Sequence, residues 1–287
     1  MTESGPVQVR EARVRSVVPW GAYQRMTVEA PPIAATFRPG QFVAVAVGGP
    51  QTSMVLRRCF SLYAADPAGG TVEYVFAVHG KGTAWLAERR PGDALDLVGP
   101  LGRPFPPPDG AGPQVLVGGG YGSAPLFALA GALRQGGSTP HLLVGAASED
   151  RLFLGDGVPS TMASVTVTTD DGTSGARGLV TDALPELLAT TGGATVYACG
   201  PMAMLRACSE VAAESGVRAY TAVEEQMACG VGACMTCVLP VVGDDGVTRM
   251  VRSCTDGPVF DGRRVRWRDV GRMPADVHGA PAGGSGR

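Results

Sequence analysis

Four cysteines, Cys229, Cys234, Cys237 and Cys254, carry the most specific chemical signal in the chain. Four residues separate the first two, two separate the next pair, and sixteen separate the last pair. Thiolates at this spacing suit a 2Fe–2S cluster, with three ligands on one loop and a fourth from a distant segment. The reason is reach: two irons need four thiolates, and one short loop cannot wrap both. Gly230 and Gly232 suit a loop curled with its backbone N–H groups toward the sulfides, where hydrogen bonds tune the reduction potential. The competing donor chemistry is zinc, but a zinc ribbon pairs two C-x-x-C knuckles and only Cys234 and Cys237 form one. Four cysteines within twenty-six residues also exceed ordinary core use.

A second signal lies in LRRCFSLY, which holds Arg58, Cys59, Phe60 and Ser61. It resembles the R-x-[YF]-S motif of the ferredoxin-reductase superfamily, whose flavin sits on a β-barrel. The residue types suit FAD. A guanidinium pairs with a pyrophosphate, an aromatic ring lies against the isoalloxazine, and a hydroxyl near the reactive nitrogen tunes its electronics. The plainer reading is a strand edge with a surface arginine. The neighbouring runs PGQF, GKGT and GPLGRPF support the flavin reading, and VFAVHG lies among them. In them Phe76, Ala77 and Val78 are expected beside the cofactor. Gly82 and Thr83 open a helix whose free N–H groups suit a phosphate, or else Thr83 simply caps that helix.

The third signal is VLVGGGYGSAPL, a strand, a glycine turn and a helix. Gly118, Gly119, Gly120 and Gly122 permit close backbone approach to the pyrophosphate of NAD, though tight strand–helix packing alone would also explain them. Downstream, YACGPMAML carries Cys199, Gly200 and Pro201 at the carboxyl end of a strand, the edge where open parallel sheets bind ligands. Cys199 is a candidate beside the nicotinamide or a small core residue, and Cys208 is assigned to the core. Asp170 and Asp171 would repel a 2′-phosphate if they faced the adenosine ribose, which favours NAD over NADP. Glu224 and Glu225 are left open between the flavin and a solvated strand end.

These residues need particular elements to position them. Residues 7–108 read as short Val-, Tyr- and Phe-rich strands between turns, an antiparallel β-barrel FAD domain, with one helix over about Thr83 to Arg90. PFPPPDGAGP reads as a linker. Residues 113–223 alternate strands and helices, an α/β parallel-sheet nicotinamide-binding domain. Residues 224–270 form a small C-terminal 2Fe–2S cluster domain with a hairpin turning at GDDG, and 271–287 read as a mobile tail. The multi-domain expectation fits 287 residues, 45% hydrophobic and 17% charged. A net charge of −2 gives no footprint for nucleic acid or an anionic membrane. The N-terminal residues lack an apolar signal core and no run is long enough to span a bilayer, so a cytoplasmic protein with reduced cysteines is expected.

In their order, LRRCFS, GKGT, GPLGRPF, VGGGYGSAPL, CGPMAML, MACGVGACMTC and RSCTDGPVF resemble the electron-transfer subunits of NAD-linked, B-type dihydroorotate dehydrogenases, over about Val9 to Trp267. The resemblance implies FAD, a 2Fe–2S cluster and NAD(H) on this chain. It also implies a separate FMN-containing catalytic subunit, in a heterotetramer of two plus two. Electrons would leave that FMN singly through the cluster and be paired on FAD for delivery to NAD+. The chain would have no dihydroorotate site, and its cluster loop, about Met227 to Val238, would face the partner. Two residues depart from the family pattern. Cys59 stands where many relatives have Pro, and Ala77 where many carry a basic residue, which removes one FAD phosphate contact. The alternatives are an NAD(P)H-dependent reductase for another redox partner, and a redox sensor without turnover.

Overall fold

The computed structural model describes residues 5–49, 52–108, 112–155, 158, 162–192 and 195–280. Among them, β1 (Val7–Trp20), β2 (Tyr23–Glu29), β3 (Phe42–Val45), β4 (Arg58–Asp66), β5 (Thr71–Phe76) and β6 (Ala94–Leu101) close an antiparallel barrel in the order β1-β2-β5-β4-β3-β6. The alternation read from sequence is visible in burial. Ala12 and Val14 of β1 and Met26 and Val28 of β2 point inward, with more accessible residues between them. They meet Val43, Leu62, Tyr74, Leu95 and Leu97 in one apolar interior.

A short helix, α1 (Pro31–Ala34), was not foreseen and buries Ile33 and Ala34 beside the barrel. The helix expected from Thr83 is α2 (Lys81–Ala87). It starts earlier because Gly80, not Thr83, is its N-cap. The Thr83 hydroxyl sits one turn in and accepts the backbone N–H groups of His79 and Gly80 at 3.0 and 3.2 Å.

The second layer is a sheet of β7 (Gln114–Gly119), β8 (His141–Ala146), β9 (Ser164–Thr169), β10 (Ala176–Arg177), β11 (Thr195–Cys199), β12 (Arg218–Ala222) and β15 (Val259–Asp261). Its order is β10-β9-β8-β7-β11-β12-β15, parallel except for β15. The interior strand β11 is buried at every residue, as a strand covered on both faces must be. The cover comes from α3 (Ala124–Gln135) on one face, and from α4 (Val180–Thr191) and α5 (Met202–Glu214) on the other. Cys208 of α5 is fully buried in that second core.

The C-terminal segment differs from a free-standing unit. Its hairpin, β13 (Val238–Val242) with β14 (Thr248–Arg252), forms at the expected turn. The chain then returns to the α/β sheet, where β15 pairs antiparallel with the edge strand β12. The tail expected to be mobile from 271 is anchored at a few points within its described residues, most of which are exposed. Val277 is buried, the His278 N–H donates to the Thr248 carbonyl at 2.8 Å, and Asp276 pairs with Arg266 at 2.6 Å. Residues 281–287 of that tail and 109–111 of the expected linker lie outside the described residues. No helix among the described residues is long and apolar enough to cross a membrane.

Two apolar seams join the layers. Tyr23, Tyr63, Val75, Ala124 and Phe153 tie the barrel to the α/β unit. Phe42, Ala44 and Leu101 of the barrel pack against Cys237 and Cys254. Phe42 is 2% exposed and central to the second seam. Phe42→Ala should therefore lower unfolding stability by about 3–5 kcal/mol, the usual cost of deleting a buried Phe side chain, as read from a denaturant titration.

Candidate functional site

The hairpin brings the distant fourth cysteine home. Cys237 immediately precedes β13 and Cys254 closely follows β14. With Val238 paired to Arg252, the antiparallel register sets the two cysteines together at the open end of the hairpin. Ser253 locks this base, its N–H and hydroxyl both donating to the Cys237 carbonyl at 2.8 and 2.9 Å. The Cys254 thiol lies against that of Cys237, and both residues are 1% exposed. Cys229 and Cys234 form the other pair, with sulfurs 3.3 Å apart and the Cys234 N–H directed at the Cys229 sulfur.

The loop between them turns through Gly230 (φ +70°) and Gly232 (φ +79°), left-handed positions that favour glycine. Arg252 ties the loop to the hairpin by donating to the Gly232 carbonyl at 2.8 Å. Two thiol pairs suit two irons with two thiolates each, which is the donor set of a 2Fe–2S cluster. A single zinc would need one convergent quartet.

Beside this loop, a cleft of 440 Å³ runs between the barrel and the carboxyl ends of the parallel strands. Arg58, Cys59, Phe60 and Ser61 of β4 line it, with Phe76, Ala77 and Thr83. Gly122, Cys199 and Gly200 line the opposite wall. The Phe60 ring stacks on Tyr74 at 5.0 Å, which fixes its orientation on the cleft wall. The Arg58 guanidinium lies over Gly82, where an added Cβ would stand 3.0 Å from Nε. Gly82 is thus a floor beneath the arginine. The Thr83 hydroxyl is engaged within its own turn, two residues inside the helix that Gly80 caps.

Val78, Gly118, Gly119, Gly120 and Pro201 are not on the cleft wall. Val78 is 49% exposed. The glycines are explained by crossing backbones as much as by ligand approach. A Cβ on Gly122 would stand 2.8 Å from the Gly200 Cα, and one on Gly119 2.8 Å from Met204 and from Pro201. Asp170 and Asp171 also lie off the cleft. The Asp171 carboxylate accepts from the Thr173 N–H and hydroxyl at 2.9 and 2.6 Å, which closes a local turn.

The sequence reading named Cys199, Glu224 and Glu225 separately and did not join them to Tyr121 and His79. Glu224 and Glu225 both line the cleft. Glu224 faces Tyr121, His79 and Cys199, which come from three other segments. Burial raises the pKa of Glu224, against the pull of His79 and the Tyr121 hydroxyl. No spacing rule could join these residues, since each comes from a separate loop. Tyr121 was visible only as a residue inside the glycine turn.

The thiols differ sharply in acidity. Burial pushes Cys59, Cys199, Cys208 and Cys254 up to about 12. Cys234, at the surface, is drawn down to about 6 by hydrogen bonds from Thr236 and then from Cys229. In cluster-free protein at neutral pH, iodoacetamide should modify Cys234 before those four. Its rate should rise as pH crosses about 6, below the about 8.5 of a free thiol. Mass-spectrometric mapping reads both outcomes.

Comparison with known proteins agrees with this geometry. Residues 224–266 match the iron-sulfur cluster binding domain of dihydroorotate dehydrogenase B, and residues 116–210 match an oxidoreductase NAD-binding domain. The dihydroorotate dehydrogenase B (NAD(+)) electron transfer subunit of Desulforamulus reducens is 36% identical over 84% of this chain and 92% of its own length. The protein of the same description from Geobacillus kaustophilus is 39% identical over 78% and 84%. Among solved structures, NADH-dependent reduced ferredoxin-NADP oxidoreductase aligns with a TM-score of 0.79 and 29% identity, over 94% of this chain and 95% of that one. A ferredoxin NADP+ reductase from Neisseria gonorrhoeae with bound FAD and NADP shares the fold, with a TM-score of 0.59 and 17% identity over 75% and 93%. The paired cysteines, the cleft and these relatives agree, and the chain belongs to the family of dihydroorotate dehydrogenase B electron transfer subunits.

Proposed function

We propose that this chain holds FAD in the cleft and a 2Fe–2S cluster on its two cysteine pairs. It passes electrons from the FMN of a dihydroorotate dehydrogenase catalytic subunit to NAD+, two copies assembling with two catalytic subunits in the cytoplasm. The observation that carries this reading is a shared wall. Phe42, Cys59 and Met227 line the cleft and also pack with Cys237 and Cys254, so the flavin and cluster sites are neighbours through one layer of side chains.

FAD, when bound, supplies the exchange between hydride and one-electron chemistry, and the cluster supplies the one-electron step. Arg58 offers its guanidinium to the pyrophosphate. Phe60, fixed by Tyr74, presents a ring to the isoalloxazine, and Ser61 brings a hydroxyl to the same wall. Gly122 and Gly200 keep the opposite wall low enough for a nicotinamide to approach. Cys199 stays a protonated thiol there, because burial in the first place and then Glu224 disfavour its thiolate. It acts by contact and not as a nucleophile. Substrate oxidation belongs to the partner subunit.

The second reading, a reductase component serving another partner, is favoured by the likeness to NADH-dependent reduced ferredoxin-NADP oxidoreductase over nearly the whole of both chains. Co-purification with an FMN-containing dihydroorotate dehydrogenase supports the first reading, and its failure with retained NADH-to-dye turnover supports the second.

The direct test is an anaerobic absorption spectrum with iron and acid-labile sulfide assay. A flavin band and broad cluster absorption, both bleached by NADH, are expected, and protein lacking both chromophores would refute the assignment. Cys237→Ser should abolish electron flow between the subunits while sparing NADH oxidation by soluble dyes, with equal loss of both counting against this division of labour. Arg58→Ala should remove a charge-assisted bond worth about 1.5–3 kcal/mol and weaken FAD binding roughly ten- to hundredfold in a flavin-release titration.

A further inference from the structure

A fifth thiol converges on the cluster site. Cys59 comes from β4 of the barrel, far from the other four in sequence. A Cβ on Gly230, the residue after Cys229, would stand 3.0 Å from the Cys59 sulfur. The cluster loop therefore runs its backbone directly over this thiol. The same hypothetical Cβ would lie 3.5 Å from Ala44, the residue paired with Cys59 across the β3–β4 ladder. Cys59 also packs against Cys237 and Cys254 in one apolar group. Its other side is a wall of the flavin cleft, between Arg58 and Phe60.

We propose that Cys59 is a positioning residue for electron exchange, its S–H donating a hydrogen bond to the sulfur of the cluster held by Cys229, Cys234, Cys237 and Cys254 and so raising the cluster's reduction potential from the flavin side. The chemistry balances simply. Reduction adds one electron, supplied from FMN by the partner or from NADH by way of the flavin. No bond forms or breaks, and the thiol proton stays on sulfur. The reduced cluster carries one more negative charge, so a fixed donor beside its sulfur favours the reduced form.

The inference rests on the cluster assignment above, and the experiment separates the two. Full-length protein with its flavin and cluster is titrated anaerobically, and the reduced cluster is followed by electron paramagnetic resonance, for wild type, Cys59→Ala and Cys59→Ser. The expected result is a lower cluster midpoint in Cys59→Ala, with Cys59→Ser, which keeps a hydroxyl donor, at or above wild type. The iron and sulfide content should be unchanged. Wild-type midpoints in both variants, an equal shift in both, or loss of iron and sulfide from both would overturn the donor role. Absence of any cluster signal from wild type would instead overturn the cluster assignment.

Discussion

The packing of one barrel face against the cluster segment is the constraint on which the rest of this molecule depends. Phe42, Ala44 and Leu101 close over Cys237 and Cys254 in an apolar seam, bordered by the Arg103 N–H that donates to the Gly257 carbonyl. Electron transfer falls steeply with separation, so the seam must be thin. Small residues make it so. Ala44 and Gly230 let the two backbones approach, and Cys59 fills the remaining gap. A larger side chain at Gly230 would meet the Cys59 sulfur and push the loop away while occupying a left-handed backbone position at a cost.

The opposite side of the cleft obeys a similar rule by different means. The carboxyl ends of β7 and β11 run in register, Cys199 beside Gly118, and their following turns cross within van der Waals range. Glycine at 119, 122 and 200 is required by the protein's own packing, since a Cβ at each would meet a neighbour at 3 Å or less. Glu224 leaves the end of β12 toward the same place, so three adjacent strand ends furnish one wall.

Much of this was legible in the residues. Alternating burial in the barrel, the long apolar runs of the parallel sheet and the GDDG hairpin all follow from local periodicity and turn chemistry. The cysteine spacing implied a fourth ligand from afar, and the hairpin register gives the physical means. What stayed hidden depended on contacts between distant segments. The three residues of β15 are too few to show a period, and only the open edge of β12 makes them a strand. The start of α2 turned on where one hydroxyl points. The gathering of His79, Tyr121, Cys199 and Glu224 exists only once both layers have docked.

The pairing of β15 with β12 has a bearing on biosynthesis. Translation delivers β12 before the cysteine loop, the hairpin and finally β15. Until that strand emerges, the growing sheet displays an unpaired ladder, the feature that invites association between nascent chains. Closure of the ladder thus follows emergence of Cys229, Cys234, Cys237 and Cys254 from the ribosome. That edge of the sheet is shielded only when all four thiols have been made.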